Sequence, residues 1–147
     1  MNYAGIQSVF HEYVSGILSK YLGYKELILP VSIGWDGATA SERKTRFTPP
    51  VDQDALIFAC GSDFSNALAT VKITDTASGY VWTLGENNTY APVNSIFGVS
   101  TQVMPMLPLI CPFFLARQSK LQMEFVNSAT SLTTNGVVTW RGIKLLS

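Results

Sequence analysis

Apolar residues recur at two different periods along this chain. Between Asn2 and Tyr24 they fall at Tyr3, Ile6, Phe10, Tyr13, Val14, Ile17, Leu18 and Tyr21. Spacings of three and four put these side chains on one stripe of a helix. Gly5 and Gly16 weaken that helix, each by about 1 kcal/mol relative to alanine in a helix interior. Gly23 is placed to end it. From Leu27 onward the period is two. ILPVSIGW reads as a first strand. The polar stretch DGATASERKTRFTPP reads as a long loop, closed by two prolines that cannot continue a sheet interior. ALIFACGS is a nearly continuous apolar run, as expected of a central strand covered on both faces.

ALATVKITDTASGYVWT predicts a hairpin. Ala67, Ala69, Val71 and Ile73 share one face; Leu68, Thr70, Lys72 and Thr74 share the other. Asp75 can bond its own backbone and Gly79 can take a positive φ, so DTASG supplies the turn and YVWT the return strand. NSIFGV reads as a short strand. MPMLPLICPFF holds three prolines and is excluded as a central paired strand; it reads as an extended segment crossing between sheets. KLQMEFVN alternates, with Leu121, Met123 and Phe125 inward and Lys120, Gln122 and Glu124 outward. SATSLTTN is a polar turn and GVVTWRGIKLL the last strand. Short strands separated by turns and proline breaks predict an all-β chain, an antiparallel β-sandwich or jelly-roll-like domain over residues 27–147. An N-terminal helical arm occupies residues 1–26. No repeat of fixed period is present.

Composition sharpens this picture. Of the 147 residues only 14% are charged, against about 25% in a typical soluble domain. The surface must therefore be rich in Ser, Thr, Asn and Gln, which repel neighbours weakly and suit permanent association. The formal net charge is zero, which speaks against gripping a phosphate backbone, so no nucleic-acid partner is expected. The one basic cluster, Arg43, Lys44 and Arg46, reads either as a solvated loop or as a contact with an acidic partner protein. Cys60 and Cys111 sit in apolar contexts and read as buried thiols, with a single disulfide left open. No run approaches the ~18 apolar residues of a membrane span, and the N-terminus lacks the pattern of a secretory signal. The NNT at 87–89 reads as a turn.

Reactive constellations are not expected. His11 is the chain's single histidine, without a second ligand at metal-binding spacing. GxSxG, HExxH, CxxC, P-loop and GxGxxG patterns are missing. Asp52 and Asp54 would share a face of an extended chain and could do acid–base or calcium chemistry, but a polar strand entry is far commoner and is the reading preferred for them. Glu124 reads as solvated. Trp35, Trp82 and Trp140, with Tyr80, could form a platform for sugar rings, or could fill a core or interface; Trp140 shares a face with Val138 and Leu146, which favours burial. No catalytic residue, metal ligand or cofactor is therefore expected.

The order ATVKITDTASGYVWT, VNSIFG, MPMLPLICPFFLARQSKLQMEFVNSA and VVTWRGIKLL resembles small β-sandwich structural proteins of tailed bacteriophages. The matching positions are Asp75, Gly79, Trp82, Phe97, Gly98, Pro112, Phe113, Asn127 and Gly142, within residues 53–147. The resemblance implies a non-enzymatic virion component, a capsid decoration or cement protein or a neck or tail accessory protein, made in the bacterial host cytoplasm. It implies other virion proteins as partners and no catalytic residues. The helical arm lies outside it. The chain's own pattern adds an expected homo-oligomer with no membrane partner, and candidate interface residues Tyr3, Ile6, Phe10, Tyr13, Ile17, Leu18, Arg43, Lys44 and Arg46. The rival expectation is a carbohydrate-binding or receptor-binding β-sandwich module.

Overall fold

Eight strands form two four-stranded antiparallel sheets in the computed structural model, which describes residues 3–38, 42–64, 69–83, 90–97, 107–127 and 132–147. Helix α1 (Tyr3–Leu18) precedes β1 (Gly23–Ala38), β2 (Arg43–Phe47), β3 (Ala55–Phe64), β4 (Ala69–Asp75), β5 (Ala91–Pro92), the one-turn helix α2 (Val93–Phe97), β6 (Leu107–Leu115), β7 (Leu121–Asn127) and β8 (Leu132–Leu146). The first sheet runs β1-β8-β3-β6 and the second β2-β7-β4-β5. The pairing is nested: first strand with last, second with seventh, third with sixth, fourth with fifth. The β3–β8 and β4–β7 ladders close each sheet.

Alternation explains the core. Paired residues on antiparallel strands lie on the same face. Leu29, Val31, Val138, Trp140, Ile57 and Cys60 from one sheet meet Val71, Ile73, Met123 and Phe125 from the other in a single buried cluster. The inward positions expected for β4 and β7 are buried, as is Trp140. Past Gly142 the buried residue is Leu145, not the expected Leu146. Leu145 faces the outside of the first sheet with Leu56, and both are covered there.

Proline and charge mark the edges. The four edge strands carry Pro30 (β1), Pro92 (β5), Pro108 and Pro112 (β6), and the Arg43–Lys44–Arg46 cluster (β2), whereas β3, β4, β7 and β8 contain no proline. Proline lacks the N–H a ladder needs, and edge prolines and charges discourage pairing with foreign strands.

The DTASG turn forms as expected. Asp75 Oδ1 accepts from the Ala77 N–H and Oδ2 from the Ser78 hydroxyl. Gly79 has φ of 72° and donates its N–H to the Asp75 carbonyl at 2.8 Å. The return is shorter than a strand: Val81 bridges Thr74, and the Trp82 N–H reaches the Ile73 carbonyl. Ala67 and Leu68 lie outside the described residues.

Several expectations are corrected. The basic cluster is not in a loop but on β2, paired with β7, because Lys44 and Arg46 fall into alternation with Met123 and Phe125. VNSIF is helical rather than extended: Pro92 precedes it, and Val93 and Phe97, four apart, put one buried face on the core. The described part of the proline-rich run, from Leu107 on, is edge strand β6, not a crossing segment. Ile57 faces Phe113 while Ala59 faces Pro108, so residues 109–112 leave the ladder, taking Pro112 with them. α1 stops at Leu18, where the Ser19 hydroxyl caps the Gly16 carbonyl, and Gly23 opens β1 instead of ending the helix. The first strand is accordingly longer than ILPVSIGW. Residues 132–135 belong to β8 rather than to a turn, while 128–131, 98–106 and 84–89, including the NNT, lie outside the described residues.

Candidate functional site

Three surface features carry the candidate chemistry. The first lies on the outer face of the β1-β8-β3-β6 sheet. Tyr13, Ile17, Lys20 and Tyr21 enclose a cleft of about 300 Å³ against Phe114 of β6, so the C-terminal half of α1 stands against its own domain. Yet no described side chain of the helix is buried: Phe10, Val14, Ile17 and Leu18 are half-exposed and Tyr13 is exposed. Leu22, Tyr24 and Ile28 are 90%, 63% and 52% exposed. Tyr24 and Ile28 share the sheet's outer face with the Glu26–Arg141 ion pair. The side chains of Tyr3 and Ile6 lie outside the described part.

Asp54 ties the helix exit to the domain. Its Oδ2 accepts from the Tyr21 hydroxyl at 2.7 Å, its Oδ1 from the Arg117 N–H at 2.7 Å, and its carbonyl from the Leu145 N–H at 2.8 Å. The bond to the Asp54 carboxylate holds the Tyr21 phenol above its usual range. Asp52 pairs with Lys144 at 2.9 Å, and that contact lowers its carboxyl from the ordinary value. The two carboxylates thus have separate partners and structural tasks. Sequence reasoning placed them at a strand entry and had no signal for Tyr21 or Lys144 as their partners.

The second feature is the basic strand β2, where alternation splits the cluster. Arg43 shares the outer face with Glu124 and pairs with it at 3.2 Å, the two side chains being 65% and 23% exposed. Glu124 is therefore half-buried and paired, not simply solvated. Lys44 and Arg46 project to the inner side, level with Phe125 and Met123. Lys44 Nζ donates to the Gly34 carbonyl at 2.5 Å. Arg46 Nη1 donates to the Thr45 carbonyl at 2.9 Å and borders a cleft of about 680 Å³ with Ile33, Gly34, Asp63, Gly136 and Val137. The sequence brought these three cations together; it could not show that one is paired, one tied down and one left over a cavity.

The third is aromatic. Trp82 packs edge-on to Phe113 and Trp140, centroids 4.3 and 5.4 Å apart, and Phe97 packs edge-on to Trp140. Tyr80, Trp82, Pro112 and Phe113 border a cleft of about 300 Å³. Only Tyr80 is strongly exposed there; Trp82 is half-buried and Trp140 is core, so they do not make a flat exposed row. The Trp35 side chain lies outside the described part. Both indole N–H groups, of Trp82 and Trp140, are buried without an acceptor among the described residues.

His11 is exposed on α1, and among the described residues no group of three His, Cys, Asp or Glu side chains converges on a possible metal position. Cys60 is a free buried thiol, Sγ 3.6 Å from the Ile96 carbonyl, and burial pushes its pKa up to about 11. The Cys111 side chain lies outside the described part. Among the described residues no helix is long and apolar enough to cross a membrane. No family model matches the chain, and no curated protein matches it.

Proposed function

We propose that the chain is a non-enzymatic structural component of a tailed-phage virion, of the capsid decoration or cement type or the neck or tail accessory type, acting through protein–protein contacts. The observation that carries this reading is the nested strand order. Eight strands paired first-to-last across two sheets fit one long hairpin rolled up as a jelly roll, an architecture used by viral capsid proteins. The helix supports it too. An apolar stripe that its own domain leaves half-exposed, beside exposed Leu22, Tyr24 and Ile28, is the kind of patch that marks a partner site. On this reading α1 is an assembly arm, the partners are copies of this chain and other capsid, neck or tail proteins, and the protein resides in the particle. The blunted edges direct those contacts to faces and to the helix instead of to strand addition.

Deleting residues 1–18 tests this. The expected product melts as a folded β domain but no longer joins its oligomer or the particle; an unfolded product, or one that assembles normally, defeats the reading.

One observation favours a second reading, a carbohydrate-binding or receptor-binding module. Jelly rolls also serve lectins, and exposed Tyr80 borders the aromatic cleft over Trp82 and Phe113. On that reading Tyr80→Ala abolishes glycan retention on an array while assembly is unaffected.

A further inference from the structure

We propose that the cleft between β1 and β2 seats a partner's carboxylate: one Asp or Glu side chain of a peptide segment, received by Arg46. Its setting rests on the assembly reading above, but the chemistry of the cleft stands by itself. β1 and β2 are edge strands of different sheets, so no backbone ladder closes this side of the sandwich. Gly34 and Gly136 bring no side chains to the wall, which leaves a cavity of about 680 Å³.

Of the three cations on β2, two are already engaged, Arg43 by Glu124 and Lys44 by the Gly34 carbonyl. Arg46 is half-buried on the inner side of the strand. A guanidinium has five N–H donors, and among the described residues Arg46 places one of them, on the Thr45 carbonyl. A partly desolvated guanidinium with open donors calls for a planar acceptor, and a carboxylate matches its fork with two parallel bonds. Ile33, an inward residue of β1, borders the same cavity and gives the methylenes of a Glu or Asp stem an apolar floor.

Asp63 also borders the cleft, but it pairs with Val137, next to the inward, buried Val138, so alternation turns the Asp63 and Val137 side chains to the sheet's outer face, away from Arg46. The assembly reading supplies the guest, since a protein partner brings single carboxylates on a peptide segment. The competing account is that an inward charge on an edge strand merely deters strand pairing; nothing specific would then bind.

The test is an NMR titration of the isotope-labelled full-length protein with a capped Gly-Ser-Glu-Ser-Gly peptide and its Gln counterpart. The Glu peptide should shift the Arg46 side-chain N–H and the Gly34 and Gly136 amides, with a Kd of about 1 mM or tighter. The Gln peptide should not. Arg46→Gln should weaken the Glu peptide about tenfold or more, whereas Arg43→Gln and Asp63→Asn should leave it unchanged. Absence of shifts, equal shifts with the Gln peptide or with acetate alone, or indifference to Arg46→Gln overturns the proposal. The peptide comparison uses the parent protein and so survives a variant that fails to fold. No particle is involved: a negative titration removes the cleft and spares the virion reading, while absence of the protein from particles does the reverse.

Discussion

Gly142→Ala should strike the ladder between β3 and β8. Ile57 faces Gly142 and Ala59 faces Arg141, so β3 carries an extra residue, Phe58, beside this glycine. Such a bulge bends the strand and lets its backbone come close. A Cβ on residue 142 would lie 1.9 Å from the Leu56 carbonyl oxygen and 2.8 Å from Ile57 Cα. Ordinary Cβ contacts begin at 3.4 Å, and backbone cannot swing away as a side-chain tip can. β3 and β8 would have to part by about 1.5 Å, which is more than a ladder hydrogen bond tolerates. Overpacking strain of about 1–3 kcal/mol, plus two or so lost ladder bonds at about 1 kcal/mol each, gives roughly 3–5 kcal/mol. For a domain of this size that lowers Tm by about 10 °C. Circular-dichroism melting and urea unfolding measure it, with Gly16→Ala as control: a Cβ there meets nothing within 4 Å and should improve the helix. A Gly142→Ala protein that melts with the parent would show that β3 does not approach β8 as described.

Other expectations follow from burial and pairing. Phe125→Ala should cost about 3–5 kcal/mol in urea unfolding, because Phe125 is fully buried between the sheets; a loss below about 1 kcal/mol would place it outside the core. Cys60, with its pKa pushed to about 11, should resist thiol reagents at neutral pH until the protein is denatured, and prompt labelling of the native fold would contradict its burial. The Tyr21 phenol is raised above its ordinary 10.0 by Asp54. Its contribution to stability is therefore complete below pH 10 and lost as pH rises through the raised value. Near-ultraviolet titration should show a late phenol that titrates earlier in Asp54→Asn, and no change in that variant would defeat the assignment.

The sequence carried the sandwich because alternation is a local property: KLQMEFVN and ATVKITD each have one face that must be buried. It misjudged segments whose state is decided elsewhere. RKTRF looks like a loop until β7 supplies Met123 and Phe125 beside it. VNSIF is too short for its period to separate helix from strand, and Pro92 and the core beneath settle it. The prolines of MPMLPLICPFF excluded a central strand but could not name an edge. The nested order was illegible, since it depends on which strands meet across long separations. The same holds for the candidate sites. Arg43, Lys44 and Arg46 were visible as a cluster, but their three different fates come from β7, from the Gly34 carbonyl and from the cavity between the sheets.

If the protein is a built-in part of a particle, as proposed, a cryo-EM map of purified particles should show density for the two four-stranded sheets at defined positions, with α1 and the Leu22–Tyr24–Ile28 face covered by a neighbouring chain. Purified particles that lack the protein, or hold it with that face bare to solvent, would contradict the proposal.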